Sequence, residues 1–245
     1  MPERDRLKPL EELLKPDIRN SYFVRKDPKT GEYLTGSLES HYADIERHSL
    51  HDEVPDDVAI QFDVARNLYL FAWFEYRFFN VAEANALNVL ELAMKERAGT
   101  IEIEHYIKQR NEEHKTKTGK KGGLKKGMKT LMEYCRDHQL VTNEGFTRWH
   151  QHATMQAYHQ AQHEQGLWAI SEMKRTGVSE IELPEIDLRT LPPDPDYDHV
   201  QHLIDNVNKM RNDYSHGSTM LHNQVLGTFE MVSEFINQLY AARTT

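Results

Sequence analysis

Arg211, Asn212 and His216 fall within six residues of one another in M-R-N-D-Y-S-H-G, and their types and spacing suit a phosphate-handling site. Arg211 comes four residues after Val207 and seven after Ile204, so a helix here carries the guanidinium on the same stripe as its apolar residues. A permanent charge on a core-facing stripe needs a carboxylate or a phosphate as partner. His216 lies five residues further on, about 140° round an ideal helix. The two side chains therefore converge only where the helix loosens near Ser215-His216-Gly217, or where a second copy supplies the other side. Asn212 and His216, four apart, share a face, which lets Asn212 orient the imidazole. Guanidinium plus imidazole suffices to cleave RNA without metal. The guanidinium grips the phosphate with two hydrogen bonds and balances charge gained in the transition state. The imidazole, with an ordinary pKa of about 6.5, moves a proton to or from the 2′-OH or the 5′-oxygen. The structural alternative is a buried ion pair of Arg211 with Glu83 or Glu91, which flank the stripe of Leu87, Leu90 and Met94.

Residues 115–129, K-T-K-T-G-K-K-G-G-L-K-K-G-M-K, carry seven Lys and no acid. Such a run is either a solvated loop extended by its own repulsion or a landing strip for an RNA backbone, with Lys120, Lys121, Lys125 and Lys126 as the contacts. It is not a phosphate-binding P-loop, because the hydroxyl that would hold magnesium is missing. His159 and His163 share a helix face with His152, but Gln160 stands where a metalloprotease has its Glu, so solvent or interface histidines are the expectation and no metal is assigned. Glu102-Ile-Glu-His105 is the one E-x-x-H and cannot make a di-iron bundle alone. Cys135 has Arg136 and His138 nearby, which could acidify a thiol, yet no triad pattern accompanies it and a packed helical Cys is expected. The aromatics from Tyr69 to Phe79 read as core and dimer interface rather than a base-stacking platform.

The elements that must position these groups read as helices. Tyr22-Phe23-Val24 and Tyr33-Leu34-Thr35 flank D-P-K-T-G as a small β-hairpin, and a short helix follows from an N-cap at Ser37 to about Leu50. The apolar stretch from Pro55 to Arg97 predicts two helices with a junction at Asn80, and further helices are expected at 101–114, 124–139 and 144–174. Residues 178–195, ending in Pro192, Pro193 and Pro195, read as an extended arm. Val200, Leu203, Ile204, Val207, Met210 and Tyr214 mark one amphipathic helix, and Leu221 to Tyr240 a second, with Gly217 as a cap between them. The expected fold is all-α, an antiparallel bundle over 57–245 preceded by an extension, 1–56, that holds the hairpin. The net charge of −9 excludes indiscriminate coating of nucleic acid but not a narrow cationic cleft. A single Cys, a charged start without an apolar leader and a longest apolar run of seven residues (Leu68 to Phe74) predict a cytoplasmic protein away from membranes.

With Arg211, Asn212 and His216 in the pattern Arg-Asn-x3-His, the sequence resembles the HEPN superfamily, helical-bundle proteins that include many metal-independent ribonucleases of prokaryotic toxin and antiviral systems. E-A-N-A-L-N-V-L-E-L-A-M-K-E-R-A-G at 83–99 and G-G-L-K-K-G-M-K-T-L-M-E-Y at 122–134 look like core helices of that family. The resemblance implies a symmetric homodimer with both motifs facing one cleft, RNA as substrate, no cofactor, and an antitoxin or regulatory protein as a further partner. Some relatives carry a Tyr two places after the His that a nucleotidyltransferase modifies; here that place is Ser218, which argues against this control.

Overall fold

The computed structural model describes residues 7–22, 24–26, 30–188, 197–215 and 222–242; for Arg25, Lys26, Ala153, Asn208 and residues 211–215 it describes the backbone alone. Eight α-helices lie among the described residues: α1 (Leu38–Glu46), α2 (Asp56–Phe71), α3 (Phe78–Ala98), α4 (Thr100–Thr118), α5 (Met128–Asp137), α6 (Thr147–Thr176), α7 (His199–Ser215) and α8 (Leu226–Tyr240). Two three-residue strands, β1 (Val24–Lys26) and β2 (Tyr33–Thr35), pair antiparallel with Val24 opposite Thr35 and Lys26 opposite Tyr33. Tyr22, expected to open the first strand, instead closes a 3-10 turn, Ile18–Tyr22.

The bundle is organised around α3, which packs against α2, α4, α5, α7 and α8. Its Ala82, Ala86, Leu87, Leu90, Ala93 and Met94 have no exposed surface, and the alternation of Ala with Leu and Met lets several helices approach one axis. Phe62 of α2 meets Phe229 of α8 at 5.9 Å between ring centroids, closing the core across α3.

Two of the boundaries that differ from the sequence reading do so because a distant side chain captures backbone. The α2–α3 junction is at 72–77, not at Asn80, which lies in the first turn of α3. Asp17 holds that junction: its N–H donates to the Trp73 carbonyl (2.9 Å) and its carboxylate accepts from the Tyr76 N–H (3.1 Å). Likewise α1 stops at Glu46 rather than Leu50. Asn237 on α8 takes the following backbone, donating to the Ser49 carbonyl (3.1 Å) and accepting from the His51 N–H (2.9 Å). The N-cap of α1 is where it was expected: Ser37 and Ser40 form a reciprocal capping box.

The helix α6 has 30 residues, about 45 Å at 1.5 Å per residue. Beyond Trp149, whose indole donates to the Tyr197 carbonyl (2.9 Å), Ala169 is its one buried apolar residue among those described. The segment after it runs without regular structure to residue 188 and touches α6 through Gln165, which donates to the Pro184 carbonyl (2.6 Å).

Candidate functional site

The helix that carries the Arg-Asn-x3-His motif is fixed at its start and along its apolar face. Asp198 accepts from the Gln201 N–H (2.9 Å) and Asn143 from the Val200 N–H (2.9 Å), satisfying two of the orphan donors of the first turn of α7. Val200, Leu203, Ile204 and Val207 are buried against α3 and α5. Polar contacts add to this packing: Arg136 of α5 bonds the side chain of Gln201, and Lys129 pairs with Asp205 at 3.6 Å. Arg211 and Asn212 belong by their backbone to the end of α7, while their side chains lie outside the described residues. His216, Gly217 and Ser218 lie wholly outside them.

The interior of the bundle also holds a carboxylate. Glu83 of α3 is 1% exposed, accepts a hydrogen bond from the Thr228 hydroxyl of α8 (2.5 Å) and lies 3.3 Å from Nε2 of His222, in the segment that enters α8. A charge removed from water to this extent persists only with polar partners around it. The helices α3 and α8 and the segment that enters α8 thus share one buried acid. The other acid weighed as a partner of Arg211, Glu91, is half-buried and reaches Lys95 at 2.6 Å. Thr228 and His222 carried no signal in the sequence; Glu83 did, as an acid among Ala82, Ala86 and Leu87 on a core face.

Lys120, Lys121, Lys125 and Lys126 are all exposed, on a loop with a defined anchor rather than a free coil. The Asn111 side chain of α4 donates to the Leu124 carbonyl (3.1 Å) and accepts from the Leu124 N–H (2.9 Å), imitating a strand partner. Gly122 makes this possible, since a Cβ there would come within 2.6 Å of the Asn111 Cα. Substituting Gly122→Ala is therefore expected to lift the loop from α4, forfeiting two hydrogen bonds worth about 1 kcal/mol each. Limited trypsinolysis at Lys120 to Lys126 should accelerate about tenfold or more, with the main unfolding transition unmoved; an unchanged cutting rate would refute this anchor.

The remaining reactive side chains belong to packing. Cys135 is fully buried, and burial pushes its thiol up to about 12 against the pull of Arg97, so Arg136 and His138 do not acidify it. His159 and His163 are exposed on α6, while His152 packs against Tyr197 at 3.9 Å. Among the described residues no three His, Cys, Asp or Glu side chains are grouped so as to hold a metal ion. Of the aromatic run, Tyr69, Tyr76 and Phe79 are core, whereas Phe71 is 56% exposed. No described helix is long and apolar enough to cross a membrane. Compared with protein families, with curated proteins and with solved structures, the chain matches none.

Proposed function

We propose that this chain is a metal-independent endoribonuclease of the HEPN type, acting as a homodimer and attacking the scissile phosphate with the substrate's own 2′-OH. Arg211 holds the phosphate, His216 moves the proton and Asn212 positions the imidazole. The observation that supports the reading most is the setting of α7: a helix locked at its start, with its apolar stripe buried, that ends in the Arg-Asn-x3-His motif. The buried Glu83 cluster on the neighbouring α3 supplies a second support, because it commits an acid and a histidine to the segment that enters α8. The resemblance further suggests a toxin or antiviral role under the control of a partner protein.

The test is cleavage of a structured RNA in EDTA by the wild type and by the Arg211→Ala and His216→Ala variants, each first shown to unfold at the wild-type temperature. Activity should survive EDTA and leave 2′,3′-cyclic phosphate and 5′-OH ends. Either substitution should lower it by about 10²–10⁴-fold. Undiminished cleavage by a variant would remove that residue from the site, and abolition by EDTA would end the mechanism. The exposed, anchored Lys loop favours a second reading, an RNA-binding module that does not cut. In that case binding survives His216→Ala but weakens with salt and with neutralisation of Lys120, Lys121, Lys125 and Lys126.

A further inference from the structure

A cavity of about 680 Å³ opens where the N-terminal extension meets the starts of α6 and α8. That is the size range of small-molecule sites. None of the loop lysines is among the described residues that line it. One wall is aromatic. His41 lies flat on Tyr69, with centroids 4.2 Å apart and planes 13° apart, and its Nε2 is hydrogen-bonded to the Tyr69 carbonyl at 2.8 Å. Trp73 stands 5.6 Å from the same imidazole, is half-buried, and continues the wall.

The polar lining is divided in two. On the extension side are the Asn20 amide and the carboxylate of Asp44, both residues 7% exposed. The Asn20 Nδ2 is committed to the carbonyls of Ala72 (3.1 Å) and Trp73 (2.9 Å), which leaves Oδ1 as the end of that amide able to accept from a ligand. On the bundle side are Asn223, Gln224 and the guanidinium of Arg148. Arg148 donates from Nε to Glu230 at 3.1 Å, and its Nη1 and Nη2 make no hydrogen bond among the described residues. Gly227 lets the guanidinium lie there, because a Cβ at that position would sit 2.0 Å from Nη2. A positioned guanidinium with both terminal nitrogens unspent is a receptor for a phosphate or carboxylate.

A flat aromatic wall, acceptors at one end and an anion receptor at the other are the three demands of one ligand class. We propose that this cavity binds a nucleoside monophosphate, free or as one unit of an RNA strand, with its base against the Trp73 and His41–Tyr69 wall and its phosphate on Arg148. The base favoured is guanine. Asp44, a carboxylate that also pairs with Arg47 at 3.8 Å, and Asn20 offer acceptors, and guanine alone among the four bases presents two adjacent donors, N1–H and the N2 amino group, to a carboxylate. Adenine, cytosine and uracil meet the same carboxylate with at least one acceptor or with a single donor. The site goes beyond the ribonuclease reading, since the described residues that line it carry no role in that mechanism.

Calorimetric titration of the full chain with GMP, AMP, CMP, UMP, guanosine and inorganic phosphate tests the assignment. GMP should bind at least tenfold more tightly than the other nucleotides. Arg148→Gln should cost GMP tenfold or more while leaving guanosine unchanged, because guanosine has no phosphate to lose. Asp44→Asn, which keeps shape and fold, should erase the preference for GMP over AMP. Trp73→Phe should weaken all four nucleotides alike. Competition by a short G-containing RNA would identify the ligand as part of a strand, and its failure would identify a free nucleotide; either result supports the site. Absence of binding of every nucleotide up to about 1 mM overturns it. So does GMP binding that Arg211→Ala abolishes and Arg148→Gln leaves intact. Loss of RNA cleavage in the Arg211 and His216 variants with unchanged GMP affinity would separate the two sites.

Discussion

Asp17→Ala is expected to lower the stability of the chain by about 3 kcal/mol, one of the two largest effects anticipated outside the motif itself. Asp17 is 7% exposed and stands where the extension meets the α2–α3 junction. Its carboxylate accepts from the Arg19 N–H (3.0 Å), from the guanidinium through Nε (2.9 Å) and Nη2 (2.7 Å), and from the Tyr76 N–H (3.1 Å). Arg19 in turn lies 5.0 Å over the Tyr76 ring. Burial alone would push this carboxyl up; the Arg19 guanidinium and the two backbone N–H groups reverse that and bring it to about 2, from 3.8. Removing the carboxylate takes two hydrogen bonds from the half-buried Arg19 guanidinium, which keeps Glu75 at 3.7 Å, and one from the Tyr76 N–H, which is why the loss exceeds that of a surface pair. The stabilisation is present above pH 3.8 and disappears as pH falls through about 2. Urea denaturation of Asp17→Ala at pH 7 should show the loss directly. The variant should also bind GMP more weakly, because Asn20, three residues on, lines the cavity. A variant as stable as the wild type would mean that apolar packing alone holds the extension.

The same residue explains where sequence reading fails. Trp73-Phe74-Glu75-Tyr76-Arg77 has no Gly, Pro or Asn to break a helix, so local propensity carries the helix through to Asn80. The break is imposed by a carboxylate nearly sixty residues earlier in the chain, a contact that no local window contains. Asn237 acts likewise on the end of α1 from almost two hundred residues away. By contrast α7 and the later part of α8 were legible, because an apolar residue every three or four positions is a property of the helix itself and survives burial unchanged: Val200, Leu203, Ile204 and Val207, then Phe229, Val232, Ile236 and Leu239, are all core. Glu83 was visible as an acid on an apolar face, but its partners Thr228 and His222 come from the other end of the chain. The cavity left no trace in sequence at all. Asn20, His41, Asp44, Trp73 and Arg148 share no spacing, and only the docking of the extension onto the starts of α6 and α8 makes them neighbours.

Mild acid is expected to destabilise the protein well above the pH at which Asp17 titrates, through His199. This residue, at the start of α7, is 4% exposed and packs edge-on against Phe146 at 5.0 Å, with Tyr197 Oη 3.1 Å from Nδ1. Burial first, then the positive neighbours His202, Arg148 and His152, outweigh the attraction of Asp198 and hold its pKa down at about 4, against 6.5 when free. Between these values the unfolded chain takes up a proton that the folded chain refuses, so stability falls as pH falls from 6.5 to about 4 and changes little further below that. Fully developed, the loss from His199 is about 3–4 kcal/mol, since each tenfold weakening of proton affinity on folding corresponds to about 1.4 kcal/mol. His48 contributes in the same direction: it is buried, its Nε2 makes no hydrogen bond among the described residues, and burial and then Arg47 and Arg66 lower its pKa against the pull of Glu230 and Asp44. Both histidines serve the fold as neutral rings, His199 beside Phe146 and His48 where α1 gives way to the backbone that Asn237 captures. Urea midpoints measured at pH 7.5, 6, 5 and 4.5 should decline across this series in the wild type. His199→Gln should begin lower at pH 7.5, having lost its ring contacts, yet decline with a clearly smaller slope. Parallel slopes in the two proteins would show that His199 is protonated in the folded state and that the acid sensitivity resides elsewhere, with His48→Gln then the variant expected to flatten it.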